Sequence, residues 1–304
     1  MKILITGGAG FIGKHLVSFL LKKNHSVTIF DNFSNSTKES VNSLIHMGVN
    51  VVEGDILNLS SIQNAMKDFD VVIHLAAKIS VSESIDNPSE TLQVNVNGTK
   101  NVLTSCEKNH IKKLIVASSA AVYGEGNQDV GIVEDTKMNP ISPYGESKVK
   151  MEKVVCEWKP NYDCNYVILR FFNIYGIDQS LEYAGVITKC LEKIKQKKPI
   201  EIFGDGLQTR DFVAIEDVVN AFYNALKSNN SGIYNIGSGK AVTINELVNM
   251  IVSLSGKKLD IKHLDAKKGE IKHSHADISK AEKEIEFSPK ISLDVIKELL
   301  EGKI

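Results

Sequence analysis

The sequence predicts an α/β protein, a doubly wound parallel sheet joined to a smaller α+β region. Three observations predict it. The β-branched runs of the first half are apolar throughout, without the polar alternation of a half-solvated strand, so they belong in a sheet covered on both faces. Stretches with apolar residues at helical spacing separate those runs, as right-handed crossovers between parallel strands require. After Arg170 the alternation loosens into short strands mixed with helices.

Taken in order, strands are expected at Lys2–Thr6, Ser26–Phe30, Val49–Glu53, Val71–His74, Lys113–Ala117 and Tyr166–Arg170. Helices are expected between them at Phe11–Leu21, Leu59–Met66, Thr91–Cys106 and Tyr144–Trp158. Further on, helices are expected at Gly185–Gln196, Ile215–Leu226, Ile244–Leu254 and Leu293–Leu300, with strands at Ile200–Phe203 and Gly232–Ile236. One domain is expected to span 1–170 with part of 210–240 returning to it, and a second 171–209 with 241–304. Packed together, they should leave a cleft at the C-terminal strand ends.

Composition narrows the function. Of 304 residues, 36 are Lys or Arg and 37 Asp or Glu, a net charge of −1 that argues against a nucleic-acid or anionic-membrane partner. A hydrophobic fraction of 42% excludes a disordered chain. No apolar run approaches the roughly 18 residues of a membrane span, and no signal-peptide layout follows Met1. Cys106, Cys156, Cys164 and Cys190 are scattered and form no CxxC pair, which suits a reducing cytoplasm. His273 and His275 have no third ligand nearby and are read as solvated or packed, so no metal is expected.

Strand Lys2–Thr6 runs into Gly7-Gly8-Ala9-Gly10-Phe11-Ile12-Gly13 and then a helix. Glycines there permit a tight turn, close approach of backbone to a diphosphate, and close helix–strand packing. The helix N-terminus offers N–H groups and partial positive charge to the phosphates. Asp31, 18 residues beyond Gly13, ends the second strand, where a carboxylate accepts from both ribose hydroxyls and repels a 2′-phosphate. The expected cofactor is therefore NAD, with Asp55 and Ile56 toward the adenine.

Tyr144 and Lys148 stand four apart on one helix face, a spacing that Tyr223 and Lys227 share. Position separates the pairs. Tyr144–Lys148 follows the strand ending in Ser118-Ser119, which faces the nicotinamide half of a cofactor, whereas Tyr223 reads as a packing aromatic. A free tyrosine titrates near ~10, and a close ammonium together with oxidised nicotinamide favours its phenolate. Ser119 would share the substrate hydroxyl. The set suits removal of a hydroxyl proton coupled to hydride loss, and no Ser–His–acid set or Walker loop points elsewhere.

These residues resemble the extended short-chain dehydrogenase/reductase family, and within it the nucleotide-sugar epimerases of the UDP-glucose 4-epimerase type. The resemblance runs from the glycine loop through His74-Leu75-Ala76-Ala77, Asn95-Val96-Asn97-Gly98-Thr99, Ser118 to Gly124 and the Tyr144 pair. It continues through Leu169-Arg170-Phe171-Phe172-Asn173 and Phe203-Gly204-Asp205-Gly206 to Arg210-Asp211-Phe212-Val213, covering nearly the whole chain. It implies a Rossmann domain and a nucleotide-sugar-binding domain. It implies Ser119, Tyr144 and Lys148 as catalytic residues. Cofactor contacts are implied from Gly7, Gly10, Phe11, Ile12, Gly13, Asp31, Asn32, Asp55, Ile56, Leu75, Ala76, Ala77, Asn95, Tyr144 and Lys148. Substrate contacts are implied from Ser119, Asn173, Val186, Phe203, Arg210, Lys267 and Ser274, and a homodimer through Thr91–Cys106 and Tyr144–Trp158.

Related dehydratases carry Asp-Glu after the active-site Ser or Thr, and related decarboxylases a Glu; here Ala120 and Ala121 stand there. A keto sugar that can only be reduced again leaves 4-epimerisation of a UDP-hexose, the sugar turning over about its diphosphate tether. The chain departs from the family at Lys267-Lys268-Gly269-Glu270, where relatives have Arg-Pro-Gly-Asp, and at Tyr175-Gly176-Ile177-Asp178, where relatives often read Tyr-Gly-Pro-Arg. Ser274, in place of a bulky Tyr, leaves room for an N-acetyl group, so UDP-GlcNAc and UDP-GalNAc join UDP-glucose and UDP-galactose as expected substrates. The alternatives are a keto-sugar reductase consuming external cofactor, a UDP-glucuronate 4-epimerase, and a silent NAD-sensing protein on the same fold.

Overall fold

The computed structural model describes residues 1–158, 160, 162–180, 185–266 and 270–301. Seven strands form the main sheet: β1 (Lys2–Thr6), β2 (Ser26–Asp31), β3 (Asn50–Glu53), β4 (Val71–His74), β5 (Lys113–Ser119), β6 (Asn165–Phe171) and β7 (Gly232–Ile236). Their spatial order is β7-β6-β5-β4-β1-β2-β3, and every pair is parallel. The chain winds from β1 to β3 on one side and from β4 to β7 on the other, so the order reverses between β1 and β4. A crevice opens there at the C-terminal strand ends.

The pleat explains the apolar runs. On β5, Ile115 and Ala117 enter one core with Leu16, Leu20, Val218 and Phe222, whereas Leu114 and Val116 enter the opposite core with Ile62, Leu103, Met151 and Val155. The helices Phe11–Lys22 and Ile215–Lys227 cover the first face; Leu59–Ala65, Thr99–Lys108 and Pro143–Glu157 cover the second.

The expected single helix Thr91–Cys106 is corrected. It comprises the end of Pro88–Leu92, a π-helical segment Gln93–Gly98 and the start of Thr99–Lys108. The wider turn buries Asn95, and Gly98 admits the Ile56 side chain, which a Cβ would meet at 2.4 Å. The expected Leu293–Leu300 begins with a 3₁₀ turn, Leu293–Val295, before Ile296–Glu301.

Beyond β6, short strand pairs build a second layer. Asn173–Tyr175 pairs with Phe212–Ala214 and Ile200–Phe203 with Ile261–Leu264, while Thr209–Arg210 lies between Val242–Thr243 and His273–Ser274. A separate core of Ile187, Cys190, Ile194, Leu247, Val248 and Ile251 holds this layer together.

Candidate active site

A cleft of about 880 Å³ lies over the strand-order reversal. Gly7 has φ +72°, and a Cβ there would lie 2.6 Å from Ala76 N; a Cβ on Gly13 would lie 2.6 Å from Gly8 backbone atoms. The loop therefore seats against β4 and the helix Phe11–Lys22 against the loop only because both side chains are hydrogen. That helix begins at Gly10 with no side-chain cap, leaving its first N–H groups toward the cleft. Asp31 Oδ2 accepts from Ala9 N at 3.0 Å and Oδ1 from Phe33 N at 2.8 Å. Burial raises its carboxyl above the ordinary value, and these two bonds oppose the rise. Asn32 Nδ2 donates to Asp55 Oδ2 at 2.9 Å, tying the ends of β2 and β3.

Of the expected cofactor residues, Gly7, Gly10, Phe11, Ile12, Gly13, Asp31, Asn32, Asp55, Ile56, Leu75, Ala76, Ala77, Tyr144 and Lys148 all line the cleft. Asn95 does not. Its Oδ1 accepts from Lys78 N, and its Nδ2 donates to Lys78 O and Ser147 Oγ, so the amide orders the cleft wall from behind. A cradle with hydrogen-only close approaches, an uncapped helix start and a terminal carboxylate fits a dinucleotide.

Ser119, Tyr144 and Lys148 meet at the end of β5. Pro143–Glu157 starts at Ser142, whose hydroxyl accepts from Gly145 N, with Pro143 in the first turn. This start seats Tyr144 beside Ser119 on the cleft wall, the Ser119 hydroxyl accepting from Ala121 N at 3.2 Å. Lys148 Nζ donates to Ala117 O at 2.9 Å and lies 6.0 Å from the Tyr144 ring centroid. Burial pushes the Tyr144 phenol up, and the Ser119 hydroxyl opposes it. The sequence reading has the phenol drawn down by Lys148 and the oxidised cofactor; in the protein by itself, burial wins. Burial lowers Lys148 to about 8, against the Glu152 carboxylate.

Behind the cleft, both ring nitrogens of His74 are hydrogen-bonded. The Thr99 hydroxyl donates to Asn95 O, so it accepts from His74 Nε2, and His74 Nδ1 accepts from Thr6. Burial, reinforced by the Lys148 ammonium, pushes the imidazole down to about 3 and keeps it neutral. Sequence reasoning missed this arrangement and the Glu152–Arg170 pair beside it, although Arg170 is one of only two arginines.

The expected substrate residues divide. Ser119, Asn173 and Val186 line the cleft; Phe203, Arg210 and Ser274 do not. Ser274 stands opposite Arg210 in the three-stranded sheet, and Arg210 Nη2 is 3.6 Å from Glu270 Oε1. Lys267 lies outside the described residues. Tyr223 packs against Phe19 with Lys227 over its ring, as its packing role predicts. Among the described residues no group of three or more His, Cys, Asp or Glu side chains could hold a metal ion, and no helix is long and apolar enough to cross a membrane.

Residues 3–237 match the family model described as the NAD dependent epimerase/dehydratase family. The chain is 33% identical over 307 residues to a UDP-glucuronate 4-epimerase of Thermodesulfobacterium geofontis, covering 96% of this chain and 92% of that one. It is similar to a UDP-N-acetylglucosamine 4-epimerase from Methanobrevibacter ruminantium, solved with UDP-N-acetylmuramic acid, at 36% identity and TM-score 0.91, covering 98% and 95% of the two chains. A Thermus thermophilus UDP-glucose 4-epimerase, solved with NAD, matches at 30% identity and TM-score 0.90 over 100% of both chains.

Proposed function

Because the chain belongs to the NAD dependent epimerase/dehydratase family, we propose that it is a UDP-hexose 4-epimerase acting on UDP-glucose and UDP-galactose and on their 2-acetamido counterparts. NAD dependence and sugar-nucleotide epimerisation come with the family; the sugar is inferred from the site.

The observation that carries the reading is the convergence of Ser119, Tyr144 and Lys148 at the β5 end, followed by Ala120 and Ala121. Tyr144 has a hydroxyl to exchange a proton with, and the two alanines supply no acid to expel water from a keto sugar. The glycine loop and Asp31 would hold NAD, which would supply a reversible hydride acceptor for the sugar carbon. The Tyr144 phenolate would take the sugar hydroxyl proton and become neutral, Ser119 would hold the same oxygen, and the Lys148 ammonium would stabilise the phenolate beforehand. Tyr144 then gives the proton back when the carbon is reduced from its other face.

Among the described residues the cleft is lined by Lys14, Lys78 and Lys148, of which Lys78 pairs with Glu90 at 3.0 Å and Lys148 donates to Ala117 O. The stretch from Asp178 to Val186 has no Lys or Arg with which to grip a sugar carboxylate. The same reading includes a homodimer through the outer faces of the Asn95 and Tyr144 helices, and a cytoplasmic setting to which the four unpaired cysteines are suited.

The test is to incubate the pure protein separately with UDP-glucose, UDP-GlcNAc and UDP-glucuronate and resolve the products by NMR. Epimers of the first two are expected; conversion of UDP-glucuronate alone overturns the assignment. Tyr144→Phe should lose orders of magnitude in rate while still binding NAD.

A further inference from the structure

Tyr144, Lys148 and Glu152 follow one another at four-residue intervals along one stripe of the helix Pro143–Glu157. Three consecutive residues of β5 hold them. Ala117 O accepts from Lys148 Nζ, Ser118 Oγ donates to Glu152 Oε1, and Ser119 lines the cleft beside Tyr144. Glu152 is 2% exposed, so its charge has protein partners in place of water. Arg170 Nε donates to its Oε1 at 3.0 Å and Nη2 to its Oε2 at 2.7 Å. Arg170 continues to the Tyr123 hydroxyl at 2.7 Å, which donates to Asn235 Oδ1 on β7. A buried ion pair is often replaceable by apolar groups without loss of stability, so stability alone explains its presence poorly. This pair touches the strand segment that carries two of the catalytic contacts.

We propose that Glu152, one turn beyond Lys148 on the same helix stripe, is a positioning residue for the catalytic pair, seating the end of β5 on the helix through Ser118. It rests on the reading of Tyr144 and Lys148 given above. Burial draws Lys148 down to about 8, and Glu152 opposes that loss of charge. Other groups converge on the same helix. His74 faces Lys148 from β4 and stays neutral, and Arg170 reaches Glu152 from β6. The helices Val81–Asp86 and Pro88–Leu92 bring Glu83, Asp86 and Glu90, the last paired with Lys78. The helix Thr99–Lys108 brings the Cys106 thiol, which burial pushes well up. Glu152 stands one helical turn beyond Lys148 and opposes the loss of its charge.

The experiment compares kcat and KM from pH 6 to 10 for the wild type, Glu152→Gln and Lys148→Met. Lysine loses its proton as pH rises, so removing the nearby anion moves that loss to lower pH. Glu152→Gln should shift the alkaline limb of kcat down by about one pH unit, with about fivefold lower kcat at pH 8 and unchanged KM. A folded Glu152→Gln enzyme with the wild-type limb overturns the proposal. If Lys148→Met also keeps the wild-type rate and profile, the catalytic reading itself falls; if it loses rate while Glu152→Gln changes nothing, only the role of Glu152 falls. Should Glu152→Gln not fold, Glu152→Gln with Arg170→Met also removes the guanidinium that Glu152 pairs with. Its limb must move in the same direction, and an unmoved limb there overturns the proposal equally.

Discussion

Ser274, expected to leave room for an N-acetyl group, lies outside the lining of the cleft. Ser274 is 8% exposed and faces Arg210 in register, so a larger side chain has little solvent to escape into. On the proposed acetamido reading, Ser274→Tyr should cut kcat/KM for UDP-GlcNAc at least about tenfold relative to UDP-glucose, although Ser274 stands beside Arg210 outside the lining of the cleft. Equal losses on both substrates would remove Ser274 from the sugar site. Single residues also show where sequence reasoning ran out. Tyr144 and Lys148 were legible because their spacing and the preceding Ser118-Ser119 lie in local sequence. The bonds of His74 were not, because Thr6 and Thr99 are 68 and 25 positions away and meet it only once β1 pairs with β4 and the helix Thr99–Lys108 packs on the sheet. Glu152 and Arg170 look like an ordinary helix acid and strand base until β5 and β6 bring them to 2.7 Å.

Among the elements, the glycine loop has the least tolerance. Gly13 lies inside a helix, where alanine ordinarily improves stability, yet a Cβ there would meet Gly8 carbon atoms at 2.6 Å. Gly13→Ala should therefore destabilise by about 1–3 kcal/mol and weaken NAD binding, as overpacking outweighs helix propensity. Denaturant unfolding and a cofactor titration check both, and wild-type values in both would contradict the close-packing account. The strands of the main sheet were legible because burial on both faces writes itself as an apolar run. The π-helical Gln93–Gly98 was not, since one widened turn alters hydrogen bonding without altering the apolar spacing around it. Strands of two residues, such as Thr209–Arg210 and Val242–Thr243, are too short to show a period and exist through their tertiary pairing.

For the whole molecule, the cleft lies where the sheet reverses its order and takes its wall from both layers: Gly7, Asp31 and Ala76 from one, Asn173, Val186 and Phe212 from the other. A ligand held by the folded cleft alone stabilises the fold by mass action. NAD at 100 times its Kd should add about 2.7 kcal/mol and raise Tm by several degrees, read by thermal unfolding with and without cofactor. A Tm indifferent to saturating NAD would exclude the cleft as the binding site. The chain leaves the main sheet after β6, builds part of the second layer, and returns with β7 to hydrogen-bond along β6. On the ribosome this order imposes a wait. The nascent sheet has an open edge at Asn165–Phe171 until the polypeptide reaches Ile236, and an apolar strand with unpaired N–H and C=O groups is what adheres to a neighbouring chain. Shortening the gene anywhere before that codon would leave the edge permanently bare.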